Sequence, residues 1–274
     1  MGSEKSVFII IVTYNAMLWI EKCLDNCKEY QVIIVDNCST DGTVAYIKEN
    51  FPEVRLMLQK KNLGFGQANN IGIRYALDQG ADYVFLLNQD AYLQEGCIEK
   101  LVAVHKENPS YGVISPVHLN GQGDQLDEKF LLYLHRDEVT NALLLDAFQN
   151  NTSSVYPIEF VNAAGWLLSK QALQTVGGFD PIFFHYGEDD NYCQRVHYHG
   201  FKIGVVPSAF LFHDRESRPS KKPIYGSDEY FILLERNFKI RFGNINLENL
   251  HALNRHREKR NRQAIKAYLK LQFK

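Results

Sequence analysis

Three apolar runs in this chain end in polar residues suited to holding a nucleotide. Phe8-Ile9-Ile10-Ile11-Val12 runs into Thr13-Tyr14-Asn15, and Val32-Ile33-Ile34-Val35 into Asp36-Asn37. Tyr83-Val84-Phe85-Leu86-Leu87 runs into Asn88-Gln89-Asp90. A carboxylate at the end of a buried strand carries a large desolvation cost unless donors or a cation face it. In an open α/β sheet, ligands bind beyond the carboxyl ends of the strands, where a divalent ion bridging to phosphates supplies that partner. Asn88-Gln89-Asp90 has the form of an N-x-D metal motif, with Asp90 an oxygen ligand suited to Mg²⁺ or Mn²⁺. The same residue type after a strand also serves as an ordinary turn or cap. Asp36 is placed to accept from a base N–H or a ribose hydroxyl, while Ser39 or Thr40 caps the next helix.

Two more groups are able to do chemistry. His185-Tyr186-Gly187-Glu188-Asp189-Asp190-Asn191 puts three carboxylates at a helix start. They complement the helix dipole there, or one of them is a general base against an acceptor hydroxyl. His213 follows the apolar run Ala209 to Phe212, where a neutral imidazole is a candidate metal ligand. The loop Asn62-Leu63-Gly64-Phe65-Gly66-Gln67-Ala68-Asn69-Asn70 imitates the dinucleotide fingerprint G-x-G-x-x-G. Asn69 replaces the third glycine, and the loop follows the third strand rather than the first, which argues against a nicotinamide oxidoreductase. Its glycines read instead as allowing close helix–sheet packing and backbone approach to a ligand.

The elements that position these residues follow from the hydrophobic rhythm. Strands are expected near 7–12, 31–35, 54–59, 83–87 and 112–117, with helices near 17–28, 41–50, 66–79 and 95–107. Alternation with continuously apolar strands implies an α/β fold, a Rossmann-like, mostly parallel sheet flanked by helices. Residues 120–156 read as loops around a hairpin or short helix. A strand over 160–169, a short helix to Val176, and a helix from Glu188 to His199 follow. Two short strands, 202–206 and 209–212, precede a basic, proline-bearing stretch from Arg215 to Pro223 and two C-terminal helices near 226–242 and 247–272. This divides the chain into a domain over 1–243, with a nucleotide-binding half (1–117) and an acceptor-binding and catalytic half (118–243), and a basic amphipathic helix over 244–274.

Composition bounds the function. The 274 residues are 45% apolar and 23% charged, enough for a real core. A net charge of −2 carries no nucleic-acid signature. It hides a tail, Arg255 to Lys274, with eight basic residues and one acid, a local +7. That tail is expected to pack its apolar side on the domain, and its basic face is suited to anionic lipid. Five cysteines with no C-x-x-C pair point to reduced thiols and a cytoplasmic setting, peripheral to the inner face of a membrane if the tail docks there. No run approaches the apolar length of a membrane span.

Taken in order, these pieces resemble the inverting family 2 glycosyltransferases with the GT-A fold, and among them the rhamnosyltransferase-like members. The likeness runs through Ile11-Val12-Thr13-Tyr14-Asn15, Val35 to Gly42, Asn62 to Gly66, Leu87 to Asp90, Gly165-Trp166, Gly177-Gly178-Phe179-Asp180, Glu188-Asp189, Arg195 and His213. It implies that Thr13, Tyr14, Asn15, Asp36, Asn37, Asn62, Gly64 and Asn88 hold the nucleotide. It further implies that Asp90 and His213 hold the metal, Asp189 is the base, and Trp166, Glu188, Asp190 and Arg195 line the sugar or acceptor side. Asn88 stands where the family pattern has the first acid of D-x-D. Asp189-Asp190-Asn191 departs from its Asp-x-Asp, so Asp190 is a rival base. The implied reaction moves a sugar, from dTDP-rhamnose or a UDP-sugar, to a hydroxyl of a glycan or lipid-linked acceptor in surface polysaccharide synthesis. A sugar-phosphate nucleotidyltransferase and a non-catalytic sugar-nucleotide binder are the alternatives.

Overall fold

The structure is a computed structural model that describes residues 6–215, 223–247 and 250–272. Its first half alternates β1 (Val7–Thr13), α1 (Ile20–Asp25), β2 (Gln31–Asp36), α2 (Thr43–Asn50), β3 (Arg55–Leu58), α3 (Phe65–Asp78) and β4 (Tyr83–Asn88). β1 lies between β2 and β4, parallel to both, and β3 extends the sheet beyond β2. The register pairs Thr13 with Asp36 and Val12 with Asn88. Parallel strands ending level deliver their polar termini to one edge, as the sequence implies.

The second half continues the same sheet. After β5 (Ala91–Leu93) come α4 (Cys97–Glu107), β6 (Tyr111–Asn120), α5 (Glu128–Arg136), α6 (Val139–Phe148) and β7 (Tyr156–Pro157). They are followed by β8 (Gly165–Ser169), α7 (Lys170–Val176), α8 (Glu188–Tyr198), β9 (Lys202–His213), α9 (Asp228–Phe242) and α10 (Leu250–Gln272). The strand order is β3-β2-β1-β4-β8-β6-β9-β5, with β7 paired to β9. β8 enters antiparallel to both β4 and β6, and β9 runs parallel to β6, so the parallel half gives way to a mixed one.

Successive strand residues feed opposite faces. Ile10, Ile33, Val84 and Leu86 share one core with Ala68 and Ala76 of α3. Ile9, Ile11, Ile34 and Phe85 share the other with Leu24 of α1 and Leu101 of α4. Both faces are covered, which is why these strands read as unbroken apolar runs.

Four elements differ from expectation. β5 lies directly after Asp90 and was not foreseen, being three residues long. Residues 120–156 hold two helices, α5 and α6, where loops around a hairpin or a single short helix are expected. The strand expected over 160–169 begins only at Gly165. The two strands expected around Pro207 are one, β9, whose register against β6 jumps from Val206 to Phe210. A proline that cannot donate to a ladder is accommodated by that bulge.

At the C-terminal end, α9 buries none of its residues among those described. It is tied down by polar contacts: Lys239 Nζ donates to the Ile182 carbonyl (2.9 Å) and Gln194 Nε2 to the Ile240 carbonyl (3.2 Å). α10 meets it through His256, whose ring lies against Phe238 and Phe242.

Candidate active site

The nucleotide edge is built by side chains that hold one another. Asp36 is 2% exposed, and its carboxylate accepts from Thr13 Oγ1 (2.9 Å), the Ser39 amide (2.9 Å) and Ser39 Oγ (2.5 Å). Asn15 sits in the left-handed region (φ 50°), and its Oδ1 accepts from the Thr40 amide at 2.8 Å. Asn37 receives the Leu63 amide (3.1 Å) and donates to the Gly64 carbonyl (3.1 Å), while Asn62 Oδ1 accepts from the Gly64 amide (2.8 Å). Asn37 and Asn62 therefore shape the glycine loop with these side chains. Ser39 and Thr40 do not cap α2. Asp41 does the local work there, accepting from the Thr43 amide (3.0 Å) and hydroxyl. Gln89 grips Tyr14, accepting its amide (2.8 Å) and donating to its carbonyl (3.3 Å), and the Tyr14 ring is left 46% exposed at the edge. Because Asp36 organises Thr13 and Ser39 as well as facing the edge, Asp36→Ala is expected to weaken nucleoside binding even without metal. The expected loss is about 1.5–3 kcal/mol for a charged acceptor, read by titration with the free nucleoside.

The glycines of this loop are demanded by protein packing. A Cβ added at Gly64 would overlap the Phe184 carbonyl, and one added at Gly66 would press on Phe179 at 2.8 Å. These glycines admit the close approach of Phe179, Phe184 and Glu188.

Asp90 and His213 converge from different elements. Asp90 lies in the turn between β4 and β5, and His213 ends β9. The strands tie them together, since Ala91 pairs with His213 and the Asp214 amide donates to the Asp90 carbonyl (2.8 Å). Their side chains are each 3% exposed, with Asp90 Oδ1 3.6 Å from His213 Nε2. That gap exceeds a hydrogen bond and is near the spacing of neighbouring ligands on one small cation. A buried carboxylate beside an imidazole is a donor set that fits a divalent ion. Asp90 and His213 are the two side chains here that would hold such an ion.

Glu188, Asp189 and Asp190 form the first turn of α8, entered through Gly187 at φ 93°. Burial, then Asp190 and Glu188, push the Asp189 carboxyl up to about 7. Its Oδ1 accepts the Asp190 amide at 3.0 Å, and the residue remains partly accessible. Burial also raises Asp190, opposed by Arg136 and Arg236. Glu188 is 4% exposed, lies against Gly66, and keeps Oε2 without a hydrogen-bond partner. It is a buried neighbour that raises Asp189 rather than a free acceptor ligand. Tyr133 of α5 joins the two clusters: its hydroxyl is pushed up to about 12 by burial, then by Asp189, with Arg215 opposing and Asp127 and Asp190 adding.

Two expected sugar-side residues are elsewhere. Trp166 is fully buried, stacked on Phe179 (centroids 6.1 Å apart, 16° between planes) and beside Tyr192. It is core, because β8 is an interior strand covered on both faces. Arg195 donates to the carbonyls of Val176 (2.7 Å) and Gly178 (2.6 Å) and to Asn191 Oδ1 (3.1 Å). It clamps the Gly177-Gly178 turn from within α8 instead of reaching a ligand. Gln89, Asp127, Tyr133 and Arg215 were not anticipated. For Asp127 the signal was present, an aspartate three residues ahead of Phe130 with Leu134 one turn on.

The family model described as Glycosyl transferase family 2 matches residues 8–177. The chain belongs to glycosyl transferase family 2. It is 25% identical over 213 residues to the dTDP-rhamnosyl transferase RfbF of Shigella flexneri, covering 77% of this chain and 69% of that one. It is 26% identical over 242 residues to the N-acetylglucosaminyl-diphospho-decaprenol L-rhamnosyltransferase of Mycobacterium tuberculosis, covering 78% of each. The fold matches that of GalNAc-T7, crystallised with UDP, GalNAc and Mn²⁺, at a TM-score of 0.62 and 13% identity. That match covers 88% of this chain and 48% of the other. The protein is thus a nucleotide-sugar glycosyltransferase of glycan synthesis with the GT-A fold. The nucleotidyltransferase and binder alternatives are not favoured.

Proposed function

We propose that this glycosyltransferase moves rhamnose from dTDP-rhamnose, with inversion, to a hydroxyl of a glycan or lipid-linked acceptor. The observation that carries the reading is Asp189. It is partly accessible at the start of α8 and poised at about 7, where a general base is most effective. Asp189 takes the acceptor proton as the oxygen attacks the anomeric carbon from the face opposite the diphosphate. Thr13, Tyr14, Asn15 and Asp36 hold the nucleoside, with Asn37, Asn62 and Gln89 fixing the loops around it. Asp90 and His213 would hold the divalent ion, which when bound supplies positive charge against the leaving diphosphate. Both rhamnosyltransferase relatives support the donor choice.

The test is a thermal-shift series with dTDP, UDP and GDP and their sugars, with and without Mn²⁺, followed by product analysis with the best donor. Stabilisation by dTDP and dTDP-rhamnose above the others is expected. A preference for UDP and its sugars would move the donor to a UDP-sugar. Release of pyrophosphate from a nucleoside triphosphate and a sugar phosphate would replace the reaction altogether.

The lipid-linked acceptor extends to the tail. Arg255, Arg257, Lys259, Arg260, Arg262 and Lys266 of α10 are exposed, as is Ile265. Leu253 and His256 are partly covered, His256 by Phe238 and Phe242 of α9. The side chains of Leu250, Leu269 and Lys270, like residue Phe273, lie outside the described residues, as does the stretch 216–222. No described helix is long and apolar enough to cross a membrane. Each basic residue near an anionic surface is worth about 1 kcal/mol. Co-sedimentation with anionic vesicles at low salt is therefore expected, with loss at high salt, on neutral vesicles, and in a Lys259→Glu, Arg262→Glu double variant. Absence of binding to anionic vesicles at low salt would remove the membrane from the reading.

A further inference from the structure

His213 has two ring nitrogens, and the structure surrounds them unequally. Nε2 faces Asp90 at 3.6 Å. Nδ1 is met by Arg215, at 2.7 Å from Nη2 and 3.2 Å from Nε. A guanidinium only donates, so Nδ1 is here an acceptor, and the proton of a neutral ring sits on Nε2. That tautomer has no lone pair to give an ion beside Asp90. Ligation through Nε2 requires the proton on Nδ1, where Arg215 would then oppose one donor with another.

Asp127 stands ready on that side. Its Oδ2 is 3.8 Å from His213 Nδ1 and 3.0 Å from Arg215 Nε. Its Oδ1 accepts the Phe130 amide at 2.8 Å, which caps α5 and fixes the carboxylate. Its side chain is 3% exposed against 19% for Arg215, so the arginine is the member of the trio with room to move. Carboxylates that accept the far N–H of a ligating histidine set both its tautomer and its basicity.

We propose that Asp127 is the positioning residue of the ion site: it holds His213 in the ligating tautomer, and Arg215 leaves His213 Nδ1 when the ion arrives. This rests on the reading of Asp90 and His213 as metal ligands. It makes α5, capped by Asp127, part of the site.

The test uses the full chain and two readouts. Mn²⁺ affinity in the presence of dTDP is measured by the paramagnetic signal of free Mn²⁺, for wild type, Asp90→Ala, Asp127→Asn and Arg215→Ala. The ring nitrogens of His213 are followed by ¹⁵N NMR with and without Mg²⁺ and dTDP. The Asp127→Asn side chain retains an oxygen for the Phe130 amide, and Asp127→Ser is a second capping variant if the first loses stability. Expected results are an Mn²⁺ affinity about 10–100-fold weaker in Asp127→Asn, affinity for free thymidine unchanged, and affinity equal or tighter in Arg215→Ala. The wild-type proton should pass from Nε2 to Nδ1 on adding Mg²⁺ and dTDP. Normal Mn²⁺ affinity in Asp127→Asn, with Asp90→Ala defective, overturns the role of Asp127 alone. Normal affinity in Asp90→Ala as well overturns the ion site and this inference with it. Weakened affinity in Arg215→Ala, or a proton that stays on Nε2, overturns the exchange.

Discussion

Asp189→Asn is expected to lose about 10²–10⁴ of the transfer rate while nucleotide affinity stays near wild type. In wild type, kcat/KM should rise with pH through about 7, as Asp189 ionises. The same shift makes a stability prediction of definite sign. Burial and like charge raise the carboxyl from 3.8 to about 7, so between those values the folded state binds the proton more tightly than the unfolded one. Stability is then lost as pH rises through that window. The amide of the Asp189→Asn variant carries no such charge. That variant should therefore melt higher than wild type at pH 8, and the difference should close toward pH 4. Each kcal/mol is worth about 2–4 °C in a chain of this size. An inactive protein whose stability gain opens between pH 4 and about 7 and stays constant above that identifies Asp189 as the raised, reacting carboxylate. If Asp190→Asn is the inactive variant and Asp189→Asn is active, the two residues exchange roles.

Asp90→Ala should have its largest effect on Mn²⁺-dependent binding of dTDP or UDP and little on binding of the free nucleoside. The residue meets the phosphates only through the ion in the proposed arrangement. Loss of a direct ligand should cost at least the roughly 10–100-fold typical of losing a group that supports one. Titration of diphosphate and nucleoside, each with and without Mn²⁺, gives four affinities. Equal losses for nucleoside and diphosphate would mean that Asp90 braces the β4–β5 turn instead.

The parallel half of the fold was legible because each strand carries its own signal. Ile9, Ile10 and Ile11 need both faces covered, and Asn88-Gln89-Asp90 marks where cover ends. The helix of Glu188 to Tyr198 was legible for a similar reason, with glycine before and three acids in its first turn. What the sequence hid was tertiary. β5 is too short for a periodicity and exists because Ala91 finds His213. Trp166 and Arg195 are residue types that suit sugars equally well. Only the sheet order, which buries β8, and the turn at Gly178, which absorbs the guanidinium, decide otherwise. α5 was masked by the glycines before it, although its cap and its Phe130–Leu134 spacing were in plain view.

The seating of Phe184 on Gly64 has a practical side for anyone wishing to change the donor by mutagenesis. A side chain at Gly64 would meet the Phe184 carbonyl and one at Gly66 would press on Phe179, so neither glycine is free to vary alone. A library placed at these two glycines would return mostly misassembled proteins, dead for reasons unrelated to the nucleotide. Tyr14 is the better target, with Gln89 left in place. Its ring is half in solvent, and Gln89 holds it only through the Tyr14 backbone, so the ring is open to redesign while the grip survives.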